Sequence, residues 1–183
     1  MKKLLFRTAA AVLLAAATAP AASAQLFNGT IVGGPTWNRP LTGNPPGALS
    51  GVGTAVRYNA LFFTVTAAGS YVFQSTATGG WDNFLCLYQT AFNPLAGLTN
   101  VLVCNDDNPS IGLAGFTRSL LTGTTYIAVN TAFGNNDQGA YSMDVRGPGT
   151  VVPNVVVPEP STYALLATGL FAMGAVARRR RTS

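Results

Sequence analysis

Asp82 and the run Asn105, Asp106, Asp107 and Asn108 form the grouping in this sequence with the clearest chemistry. Carboxylate and carboxamide oxygens drawn from two separate loops suit calcium, which takes about six to eight oxygens in irregular geometry, better than zinc or copper. No EF-hand spacing accompanies them, and the same residue types also bond their own backbone amides in plain turns. Glycoside cleavage is a further chemistry for Asp82 with Asp106 or Asp107. It needs two carboxyls flanking one bond at a controlled distance, and the only glutamate, Glu159, lies far away near the C-terminus. Trp37, Trp81, Tyr88 and Phe92 could stack on sugar rings or fill a core, and Trp81, beside Gly79-Gly80, is the strongest of them for an exposed ring. There is no histidine, which excludes imidazole-based triads, histidine metal sites and histidine proton shuttles. The expectation is a protein that is not an enzyme, with a small secreted glycan hydrolase as the opposing alternative.

The elements that must position these residues are bounded by charge. The net charge of +5 in 183 residues comes from the ends, where Lys2, Lys3 and Arg7 stand at one terminus and Arg178, Arg179, Arg180 and Arg181 at the other. Between them lie Arg39, Arg57, Arg118 and Arg146 against Asp82, Asp106, Asp107, Asp137 and Asp144, with no lysine. Such a segment lacks the clustered cations that neutralise phosphates, so no nucleic acid is expected as a partner.

Both ends read as addresses. Residues 1–24 have a basic start, an apolar run from Ala9 to Ala17 and the small residues Ala22-Ser23-Ala24, a signal peptide with cleavage expected between Ala24 and Gln25. Residues 158–183 carry Pro158-Glu159-Pro160, an apolar stretch from Tyr163 to Ala177 and the terminal arginines. Pro158 and Pro160 hold the chain extended, a form that a protease can grip. The apolar stretch is just long enough for a short transmembrane helix with its arginines on the cytoplasmic side. This order resembles the PEP-CTERM sorting signal of Gram-negative bacteria. The resemblance implies processing by an exosortase, transient inner-membrane anchoring, and delivery to the cell surface or extracellular polysaccharide matrix, as in a biofilm. A simple tail anchor is the alternative.

The middle reads as β structure. Residues 25–53 are rich in Gly and Pro (Gly33-Gly34-Pro35, Asn44-Pro45-Pro46-Gly47), which predicts irregular chain with at most short strands. Residues 54–150 change to alternating β-branched and aromatic residues, and residues 151–157 form a linker to the tail. Leu61, Phe63 and Val65 share one face and Phe62, Thr64 and Thr66 the other, with a turn at Ala67-Ala68-Gly69-Ser70 predicting a hairpin into Tyr71–Gln74. Further strands are expected over 84–88, 100–104, 116–120, 124–131 and 140–146. The predicted fold is all-β, a single antiparallel β-sandwich of jelly-roll or Greek-key type, flanked by the two terminal helices. Cys86 and Cys104 fall in consecutive strands whose antiparallel register can set them opposite each other, and export favours a disulfide over a metal site. The runs Trp81–Tyr88, Cys104–Asn108, Leu121–Val129 and Gly139–Ser142 are similar to bacterial pre-peptidase C-terminal domains. That resemblance implies a secreted β-sandwich with a binding or secretion-associated role. A calcium-stabilised adhesion or carbohydrate-binding module is the nearest alternative.

Overall fold

The computed structural model describes residues 23–154. The expected terminal helices, Ala22 of the cleavage site, and the Pro158-Glu159-Pro160 and arginine motifs lie outside the described residues. Ten strands follow in order: β1 (Ser23–Thr30), β2 (Thr36–Trp37), β3 (Val56–Val65), β4 (Gly69–Thr78), β5 (Asn83–Gln89), β6 (Val101–Asn105), β7 (Leu113–Leu120), β8 (Tyr126–Ala132), β9 (Ala140–Gly147) and β10 (Val151–Pro153). They form two antiparallel sheets, β1-β9-β4-β7 and β10-β3-β8-β5-β6, with β2 also pairing β3. The protein is an all-β sandwich, as the alternating pattern predicts, and the described residues contain no helix.

Alternation works where one face meets water. In β4 and β9, Tyr71, Phe73, Ser75, Tyr141, Met143 and Val145 point into the core. Ser70, Val72, Thr76 and Arg146 lie exposed on the outer face. Burying a large side chain of this kind stabilises the fold by about 1.5–3 kcal/mol.

The predicted hairpin after Val65 is a correction. β3 pairs with β8, β2 and β10, whereas β4 pairs with β7 and β9, so the Thr66–Ala68 connection passes from one sheet to the other. The cause lies in the apolar faces. Crossing over sets Phe63 against Phe73 through the core, with ring centroids 6.0 Å apart, whereas a hairpin would leave the two rings side by side on one sheet.

The larger sheet is covered on both faces. Tyr58, Thr131 and Phe84 are register partners across β3, β8 and β5, and so share its outer face. Chain 36–53 lies over that face: Trp37 packs edge-on against Tyr58 at 5.8 Å and Phe92 at 5.1 Å, and Gly43 exchanges two backbone hydrogen bonds with Cys104. β8 is consequently buried at every position, and β5 from Asn83 to Tyr88. Beneath this layer Cys86 and Cys104 stand directly opposite in the β5–β6 register and form the expected disulfide.

Two segments differ from the sequence expectation. Ser23–Thr30, partly assigned to the signal peptide and partly to irregular chain, is a full edge strand along β9. The sequence SAQLFNGT has a weak strand pattern of its own, and the long exposed edge of β9 supplies the pairing. Residues 151–153, expected as linker, form β10 along the edge of β3.

Candidate functional site

Antiparallel pairing of β5 with β6 decides what meets at one end of the larger sheet. Asp82 precedes β5 and Asp106 and Asp107 follow β6, so the Leu85–Asn105 register brings all three carboxylates to the same edge. One carboxylate oxygen from each lies within 4.8 Å of the others. Asp107 is exposed, and Asp82 and Asp106 are half-buried. Oδ1 of Asp82 and Oδ1 of Asp106 are both shut off from solvent and accept no hydrogen bond among the described residues.

The charges in this cluster work against one another. Burial raises the Asp106 carboxyl to about 6, helped by the negative charges of Asp82 and Asp107 and opposed by Arg39. Asp82 is raised in the same way, first by burial and then by Asp107 and Asp137, with Arg39 again opposing. Three carboxylates this close favour either a shared proton or a cation among them.

Arg39 is the functional-looking residue that sequence reasoning passed over. It is 1% exposed. Its guanidinium lies over Phe84 at 4.0 Å and Phe133 at 4.8 Å from the ring centroids. Nε and Nη2 both donate to the Phe133 carbonyl, at 3.1 and 2.8 Å, and Nη1 donates to that of Pro40 at 3.0 Å. Burial lowers its pKa, while Asp106 and Asp82 act to raise it. No carboxylate contacts it as an ion pair among the described residues. The available signal was weak: Arg39 is the single charge in the Gly- and Pro-rich segment 25–53. A cavity of about 340 Å³ adjoins it, lined by Leu41, Val52, Phe84 and Phe133 among others.

The flanking asparagines are tied to β7. Asn105 Oδ1 accepts from Gly115 N at 3.3 Å, which commits that oxygen, and Asn108 Nδ2 donates to Gly115 O at 3.1 Å. With Asp107 they line an open groove of about 480 Å³.

The sugar-stacking expectation for the two tryptophans needs correction. Trp81 is 8% exposed, its Nε1 donates to Ala140 O at 2.9 Å, and its ring lies where a Cβ on Gly139 would fall. Trp37 is 4% exposed, and its Nε1 donates to Thr131 Oγ1 at 3.1 Å beneath Phe92. Neither offers a free face to a sugar, because each ring closes a layer of the sandwich. Tyr88 is fully buried and donates to Gly97 O at 2.7 Å.

Comparison with known proteins adds one assignment. Residues 156–181 match the PEP-CTERM protein-sorting motif. Among solved structures, a chain titled CBM35 from Cellvibrio japonicus Abf62 aligns at 17% identity and a TM-score of 0.35, covering 73% of this chain and 99% of that one. No curated protein matches. The sorting motif implies export and processing by an exosortase-type enzyme at the membrane.

Proposed function

We propose that this protein is a non-catalytic structural or binding module placed at the cell surface or in the extracellular polysaccharide matrix once its tail has been removed. The observation that carries the reading is the sorting motif at 156–181, which directly follows a closed, disulfide-bonded sandwich. Signal peptidase acting between Ala24 and Gln25 and an exosortase acting near Pro158 are its processing partners. Polysaccharide or another surface protein is its standing partner.

The intact mass of the protein from native cell surface and medium tests this. A chain starting at Gln25 and ending near Pro158 supports it. A complete C-terminus confined to the membrane fraction makes the protein a tail-anchored one and removes the matrix assignment.

A second reading rests on the two buried, unpartnered oxygens of Asp82 and Asp106. With Asp107 they offer three carboxylates to a calcium ion, which would relieve their repulsion and tie β5 to β6. Here calcium stabilises an adhesion module and takes no part in hydrolysis. Thermal melts with calcium and then with chelator test it: a midpoint that rises with calcium supports the ion, and an unchanged midpoint removes it.

A further inference from the structure

A three-residue edge strand ordinarily leaves outward amides and carbonyls to water. At Val151 in β10 both are taken. Gln25 Nε2 donates to Val151 O at 3.1 Å, and Val151 N donates to Gln25 Oε1. The Gln25 backbone is paired with Val145 in the smaller sheet. Its carboxamide therefore acts as an extra rung joining the β1 edge of one sheet to the β10 edge of the other. On its opposite side β10 is held by the register Val151–Val65 to Pro153–Phe63, and Asn154 N donates to Phe62 O at 2.8 Å. Val151 itself is buried beside the core residue Val65.

The position of this rung gives it meaning. After Asn154 the chain has Val155, Val156 and Val157 before Pro158. Three residues reach at most about 10 Å. With β10 lifted off as far as Thr150, which is itself held to Thr66, the seven residues Val151 to Val157 would separate the domain from Pro158. Seven residues reach about 24 Å. We propose that Gln25 is a clamp that holds β10 on the domain and so fixes how many residues separate the folded domain from Pro158. It thereby sets how far the domain stands from the membrane enzyme that handles that motif. The clamp rests on the sorting reading for its purpose but not for its existence.

Hydrogen exchange on the full chain in detergent micelles tests it, comparing the wild type with Gln25→Ala and Gln25→Glu. Two hydrogen bonds of ordinary strength are lost in Gln25→Ala, so the amides of Val151, Val152 and Asn154 should exchange about tenfold faster or more. In Gln25→Glu a second carboxylate oxygen replaces the donor and faces the Val151 carbonyl, so the same amides should also open. Amides of β5 and β8 should keep their wild-type protection in both variants. Wild-type exchange at 151–154 in both variants overturns the clamp. Loss of protection throughout β5 and β8 overturns it too, because Gln25 would then be supporting the whole fold. Tail removal from the wild-type chain in cells that carry the processing enzyme reports on the sorting reading separately. An unprocessed wild type would end that reading and leave the exchange result standing.

Discussion

On the smaller sheet Leu26 and Val72 stand exposed on the outer face while Tyr71 and Phe73 fill the core; on the larger one, Phe84 and Cys86 occupy the outer face and are as buried as Leu85 and Leu87 behind them. The same antiparallel pairing builds both. The difference is the covering chain 36–53, which turns the outer face of the larger sheet into a second core and leaves that of the smaller sheet wet. An irregular segment rich in Gly and Pro can thus serve as a structural layer, because its turns let Trp37 and Arg39 reach down onto the strands.

Substitution on the two outer faces should separate the sheets most sharply. Phe84→Ala removes a ring lying under Arg39 and should cost about 3–5 kcal/mol in denaturant unfolding. Leu26→Ala, at a site 62% exposed, should stay within about 0.5 kcal/mol. Equal costs would mean that 36–53 does not act as a layer. Next in size is the disulfide: replacing Cys86 and Cys104 together with alanine should cost about 3 kcal/mol through the freed 18-residue loop, again on the larger sheet alone.

The acidic end of that sheet should answer to pH. Folded Asp106 keeps its proton up to about 6, and the unfolded chain only to the ordinary 3.8. Between those values the folded state binds more protons, so its stability falls as pH rises through the window. Asp106→Asn should therefore raise the melting midpoint at pH 7 without calcium, and the gain should vanish by about pH 4. A lower midpoint at pH 7 would show that the Asp106 charge is useful in the bare protein. A small effect is also expected on the smaller sheet, where Arg146 pairs with Asp144 on the exposed face. Arg146→Ala should change stability by less than about 1 kcal/mol, and that change should shrink further in high salt.

What the sequence revealed follows the same division. In β9 the alternation was plain: Tyr141, Met143 and Val145 share one face, and that face is the buried one. β5 and β8 were recognisable as strands from their β-branched and aromatic content, but their second buried face was hidden, because the residues that cover it lie some 40 to 90 positions away in chain that looks irregular. The meeting of Asp82 with Asp106 and Asp107 was readable because one register, pinned by Cys86 and Cys104, fixes it. Arg39 and the clamp at Gln25 were not. Both act through backbone carbonyls of distant residues, Phe133 and Val151, and a carbonyl carries no mark of its position in the amino-acid code. The tryptophans misled for a related reason: Gly79-Gly80 beside Trp81 suggested an open loop, but Gly139 makes room for the indole from across the fold.

The pairing of β1 with β9 sets a timetable for the domain. Gln25 meets Val145 and Thr30 meets Ala140, contacts that close loops of more than a hundred residues. A chain threaded across a membrane from its N-terminus delivers β1 first and its neighbour almost last. Until then the first strand has no sheet to join, and pairings this remote in sequence form slowly. The smaller sheet can be completed only when nearly the whole domain has emerged.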